Sequence, residues 1–225
     1  MFRATVIILL VALPMSFAPP GHTSTDRGLM FGSVWDLVHG PEEARNYEKA
    51  VTVLEKLVES DYAPAVHSLA MCYYDGVGVT RSKQRAFELF TRAAKNGYPS
   101  AQNMLATMYE MGDGCEQSDE FAFFWYESSA KSGNSAGQYN LGRMYHFGFG
   151  VEDDLAEAYV WHSLAILYTP LRAHNRPAEN FKRELAIYLT PEQIVLADER
   201  VAKLSKQIPW DKAHHNRFWK QQAGL

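Results

Sequence analysis

Apolar and small positions recur along this chain in blocks of constant length. Leu69, Leu105 and Leu141 stand 36 residues apart, as do Tyr73, Tyr109 and Tyr145; Gly76, Gly112 and Gly148; and Gly78, Gly114 and Gly150. The phase runs on through Ala86, Ala122 and Ala158, the aromatics Phe87, Phe123 and Tyr159, and the bulky pairs Leu89/Phe90, Trp125/Tyr126 and Trp161/His162. Ala93, Ser129 and Ala165 close each block with small side chains, and Gly97 and Gly133 mark block ends. Within the first block, positions 65, 69, 72 and 73 are spaced i, i+4, i+7 and i+8, which is one face of a helix and not a strand alternation. Each block therefore predicts a helix A, a glycine loop, a helix B and a short turn.

A glycine at 76 takes the positive φ that ends a helix without a Cβ clash, and Gly78 lets the chain turn back. Alanines on helix B stand where two helices approach closely. One such hairpin cannot bury its apolar face alone, so neighbours must stack on it. The fold class expected is all-α, a right-handed-type α-solenoid of antiparallel helix pairs with helical caps. Its divisions are 1–18 leader, 19–27 flexible linker, 28–62 worn first repeat or cap, repeats at 63–98, 99–134 and 135–168, and a C-terminal cap and tail over 169–225. In this phase Tyr109 is expected to be buried and Glu110 exposed.

The stretch LATMYEMGDGC…AFFWYESSAKSG, Leu105 to Gly133, resembles the Sel1-like repeat. That repeat is close to the tetratricopeptide helix pair, whose period is about 34 residues. The resemblance covers roughly half of the chain. It implies a scaffold or adaptor that binds other proteins, often in bacterial secretory or signalling pathways, and implies no chemistry. It also implies that helix A lines a concave side. The positions that vary on helix A while the frame repeats are His67, Met71 and Tyr74; Asn103, Thr107 and Glu110; and Tyr139, Arg143 and His146. These nine are the expected protein-binding residues, since Tyr, Met, Arg and His suit an interface.

The first residues, MFRATVIILLVALPMSFAPP, carry Arg3, an apolar run from Ala4 to Phe17 and the triplet Ser16-Phe17-Ala18, the pattern of a secretory leader. Pro19 after the expected cut disfavours cleavage there, which leaves it displaced or absent. The apolar run is shorter than the about 20 residues of a spanning helix and contains Pro14. A periplasmic or secreted location follows, with no integral membrane span in the mature form. Past Ile166 the period of residue types fails. Thr169 to Pro177 reads as a loop with two prolines, then a helix from Ala178 to Tyr188. Thr190-Pro191-Glu192-Gln193 opens a last helix with the makings of a capping box, and Leu189 and Ile194 have staple spacing. The phrase LTPEQI is similar to the closing helix of many bacterial proteins with these repeats. The tail beyond Pro209, with Trp210, Phe218 and Trp219, folds back or stays loose.

Charge and cysteines narrow the partners. Net charge is −4, from 22 Lys and Arg against 26 Asp and Glu, with no basic run, so nucleic acid and anionic membranes are poor partners. No enzyme motif is present, and the GxG pairs precede no strand-turn-helix context. The adjacent His214 and His215 have no further ligand at useful spacing, so no metal site and no cofactor are expected. Cys72 takes the place of Met108 and Met144, and Cys115 that of Val79 and Val151, so both read as free apolar side chains and no disulfide is expected. Cysteine-rich secreted relatives staple each hairpin with a Cys pair, and this chain departs from that pattern. The leading function is a monomeric, non-catalytic adaptor for a protein or peptide. An exported cell-wall or β-lactam ligand-binding protein is the alternative, and a hydrolase ranks third because no nucleophile and base pair is visible.

Overall fold

The structure, a computed structural model, describes residues 24–42, 45–169 and 172–209. The leader, the start of the linker, the tail from Trp210 and the pair His214/His215 lie outside them. Ten α-helices follow one another among the described residues: α1 Ser24–His39, α2 Tyr47–Val58, α3 Ala63–Asp75, α4 Lys83–Lys95, α5 Pro99–Met111, α6 Asp119–Lys131, α7 Ser135–Phe147, α8 Leu155–Tyr168, α9 Arg172–Tyr188 and α10 Pro191–Gln207. No strand occurs among the described residues. The chain divides after Asn96 into two compact units, the first holding α1 to α4 and the second α5 to α10.

Local chemistry sets the helix ends. Each helix A stops at a glycine in the left-handed region: Gly76 at φ 76° donates its amide to the Cys72 carbonyl at 2.8 Å, and Gly112 and Gly148 do the same in their blocks. Each helix B starts at a side-chain cap, Ser82 on Arg85, Ser118 on Phe121 and Asp154 on Ala156 and Glu157. These caps satisfy amides that the first turn leaves unpaired. The cap amides also bond back to helix A, Ser82 to the Tyr73 carbonyl at 2.8 Å, Ser118 to Tyr109 at 3.0 Å and Asp154 to Tyr145 at 2.9 Å. The loop is thereby closed on both sides.

In the first unit, Ala65, Leu69 and Cys72 of α3 are buried with Ala86, Leu89, Phe90 and Ala93 of α4 and with Ala50, Leu54 and Leu57 of α2. Burial pushes the Cys72 thiol up to about 12, so it remains a thiol. Arg92 of α4 holds the Asp61 carboxylate and the Val58 carbonyl (2.8 Å), which pins the turn between α2 and α3. α1 packs on α2, a helix pair ahead of the three full ones, and Phe31 of α1 also meets the ring of Tyr62, the cap residue of α3, edge-on at 5.8 Å.

In the second unit the bulky pairs of helix B are core: Tyr126, Trp161 and His162 are buried, while Trp125 is half-buried. Small residues make the approach possible. A Cβ on Gly137 would lie 2.8 Å from that of Ser129, whose hydroxyl donates to the Pro99 carbonyl at 2.7 Å. Gly142 stands in phase with Ala70 and Ala106, and a Cβ there would lie 2.8 Å from the His162 ring.

The C-terminal part corrects the sequence reading. Thr169 to Pro177 is not a loop throughout: α9 starts at Arg172 and carries Pro177 inside it. Ala178 and Leu185 are buried and Phe181 half-buried on its inner face, so packing outweighs the proline. The spacing of elements also outlasts the spacing of residue types, since α8 begins at 155 and α10 at 191, one period later. Glu184 and Ala186 occupy the places of Gly148 and Gly150, and α9 runs through where the glycine loop would be. α9 and α10 each pack on α8. The capping box at Thr190 is complete, with Gln193 Oε1 accepting from the Thr190 amide at 2.8 Å and the Thr190 hydroxyl from the Gln193 amide at 3.3 Å. Leu189 and Ile194 both pack on the core. Tyr168 donates to the Ile208 carbonyl at 3.1 Å and fixes the end of α10.

Candidate functional site

The nine residues expected on the helix A face fall into different environments. In the first unit His67 is buried, its ring edge-on to Phe90 at 5.5 Å. Burial lowers its pKa to about 4, and the expectation of a surface histidine is corrected: it is a neutral core residue. Met71 and Tyr74 are half-buried, the latter with the Lys83 ammonium 6.0 Å from its ring.

In the second unit the residues join. Asn140 of α7 donates from Nδ2 to Asn103 Oδ1 of α5 at 3.0 Å, and its own Oδ1 accepts from Arg143 at 3.4 Å. Arg143 pairs with Glu110 at 2.9 Å, and the other Glu110 oxygen accepts from the Tyr126 hydroxyl of α6 at 2.7 Å. Thr107 Oγ1 lies 3.0 Å from that hydroxyl and 3.1 Å from the Asn103 carbonyl. Burial raises the Tyr126 pKa far above its ordinary value, so the phenol remains a donor to Glu110. Glu110 is thus not the free exposed side chain that its phase suggested.

Beside this polar chain lies an aromatic group. Tyr139 meets the rings of His162 (5.6 Å) and Phe181 (6.1 Å) and serves partly as packing. His146 stacks on Phe147 at 4.4 Å with 5° between the planes, and Phe147 in turn meets Phe149 at 5.7 Å. Phe147 is 49% exposed, an outward aromatic next to half-buried polar groups. Asn140 and Phe147 stand beside the helix A positions chosen from the sequence, and Tyr126 reads there only as a bulky helix B residue; the in-phase partners of Phe147, Asp75 and Met111, are not aromatic, which was the available signal.

The arrangement offers fixed donors and acceptors and an apolar edge. Among the described residues no group of three or more His, Cys, Asp or Glu could hold a metal ion. No helix there is long and apolar enough to cross a membrane.

Comparison with known proteins assigns the class. The Sel1 repeat model matches residues 63–98, 99–134 and 135–167, which hold α3/α4, α5/α6 and α7/α8. Residues 63–167 are therefore three Sel1 repeats, and the fold class is all-α, of the α-solenoid type. Proteins built of these repeats are generally protein-interaction scaffolds, and the fold is typically non-catalytic. A protective antigen present in uropathogenic Escherichia coli strains, with an SLR fold, superposes with TM-score 0.72 at 24% identity over 87% of this chain; this chain covers 40% of that one. A Sel1 repeat protein from Oxalobacter formigenes superposes with TM-score 0.52 at 29% identity, over 59% of this chain and 98% of the other. No curated protein matches the sequence.

Proposed function

We propose that the protein is a non-catalytic scaffold that holds a segment of another protein on the helix A face of its second unit. The observation carrying this is the bonded chain Asn103, Asn140, Arg143, Glu110 and Tyr126, most of it half-buried and already fixed by its own partners. A ligand meeting side chains that are already ordered loses less conformational entropy than one that must order them. His146, Phe147 and Phe149 supply an aromatic anchor, and Phe is among the residue types enriched at interface cores. Met71 and Tyr74 stand on the corresponding face of the first unit and are not needed for this reading.

Selection of a displayed peptide library on the folded chain tests it. Enriched peptides are expected to bind at least about tenfold more weakly to Phe147→Ser, a loss of about 1.4 kcal/mol. Binding unchanged by Phe147→Ser and by Asn140→Ala places the interface elsewhere and rejects the proposal.

We also propose export, on the strength of Arg3 and the apolar run behind it. A tagged copy should fractionate with the periplasm or the medium, and recovery of full-length protein from the cytosol would reject export.

A further inference from the structure

Beside the buried Ala178 and Leu185, one ring of α9 meets both helices of the repeat beneath it. Phe181 stacks on His162 of α8, centroids 5.0 Å apart and planes 11° from parallel, and meets His146 and Phe147 of α7 edge-on at 5.4 and 6.0 Å. His162 is 0% exposed, and neither ring nitrogen finds a hydrogen-bond partner among the described residues. In phase with it stand Phe90 and Tyr126, so a titratable ring occupies what is elsewhere an aromatic core position. On the α7 side Gly142 brings the backbone so close that a Cβ would lie 2.8 Å from His162 Cε1, which leaves no room for a water or a counter-charge.

The charged and titratable groups around this ring give no help to a proton. From α7 come Arg143, His146 and Tyr139, and Arg143 is already paired with Glu110 of α5. From α9 comes Lys182, whose ammonium sits 4.6 Å from the Tyr159 ring of α8. Glu157 of α8 is held by Arg200 of α10 at 2.9 Å. Of these groups, His146 and Arg143 act on His162, and both disfavour a proton there. Burial first, then His146 and Arg143, hold its pKa down to about 3.

We propose that α9 is an acid-released helix: taking up a proton at His162 requires Phe181 to leave its stacked position, so α9 opens locally from α7 and α8 while the rest of the unit stays folded. Opening uncovers the rings of Tyr139, His146 and Phe147. The inference stands independently of the peptide-binding reading. With His162 neutral in the closed form and titrating at its ordinary 6.5 in the open form, the opening constant gains about tenfold per pH unit below that value. The stabilisation from a neutral buried His162 is thus complete above about pH 6.5 and lost progressively as pH falls.

Hydrogen exchange of the full chain, read as protection factors, tests this. Between pH 7.5 and 5.0, protection of α9 should fall about 30-fold while that of α5 and α6 holds. In His162→Phe and His162→Leu the α9 values should stay flat. A pH-independent α9 in the unmodified chain, an equal fall in the variants, or a fall shared by α5 and α6 would each overturn the proposal. Should neither variant fold, an NMR titration of His162 decides: a midpoint below about 4 with α9 opening supports it, and a midpoint near 6.5 with α9 still protected rejects it.

Discussion

Tyr126→Ala is expected to destabilise the second unit by about 3–5 kcal/mol, as for a large aromatic truncation in a core that cannot collapse around the gap. Tyr126 is 1% exposed, packed among Leu141, Met144 and Leu164, and its hydroxyl joins Thr107 and Glu110 across α5 and α6. The truncation opens a cavity and leaves a half-buried carboxylate with one donor fewer. Tyr126→Phe separates the two effects and should cost about 1 kcal/mol, the usual net worth of a hydrogen bond. Tyr109→Ala is the control. Its ring is half-buried, lying 5.1 Å from the outward Phe121, so its loss should be clearly smaller. Denaturant unfolding followed by the fluorescence of Trp125 and Trp161 reads all three, and a Tyr109→Ala cost equal to that of Tyr126→Ala would contradict the packing described.

Gly150→Ala should be nearly as damaging, at about 3 kcal/mol, within the range for backbone strain combined with a core clash. Gly148 and Gly150 sit in one loop with almost the same φ, 69° and 66°. What differs is their surroundings. A Cβ on Gly148 would have its nearest neighbour at 3.6 Å, whereas one on Gly150 would lie 2.2 Å from the Asp119 carbonyl oxygen at the start of α6. Backbone cannot move aside as a flexible side chain can, so α6 or the loop must shift. Gly148→Ala carries only the left-handed penalty, about 1 kcal/mol. The same approach recurs in the first unit, where Gly78 faces the Tyr47 carbonyl at the start of α2. In these two loops the second glycine therefore serves contact with the preceding helix B as well as the turn. Equal midpoints for the two alanine variants would remove that explanation.

The repeating frame was legible because one physical constraint acts on the same position in every block. A helix A that ends on a left-handed residue selects Gly76, Gly112 and Gly148, and close helix approach selects Ala86, Ala122 and Ala158. Ser82, Ser118 and Asp154, also one period apart, were equally legible as caps and went unread. The start of α9 was hidden because Pro177 argues locally against helix while Ala178 and Leu185 supply tertiary packing that no local pattern expresses. His67 was misplaced for another reason: every residue from Pro64 to Ala70 is buried, so in that stretch of α3 periodicity marks no exposed face. The polar chain escaped because its links do not follow the period. Arg143 and Glu110 are 33 residues apart and Asn140 and Asn103 are 37 apart, offsets that an in-phase comparison passes over.

Mapping of backbone amide shifts on addition of a library-selected peptide tests the central claim, that a partner segment is held on the helix A face of the second unit. The account predicts perturbations at Asn103, Glu110, Asn140, Arg143, His146 and Phe147, with the outward face of α6 around Phe121 and Phe124 unmoved. Shifts concentrated on Phe121 and Phe124 instead, with Arg143 and Phe147 silent, would contradict it.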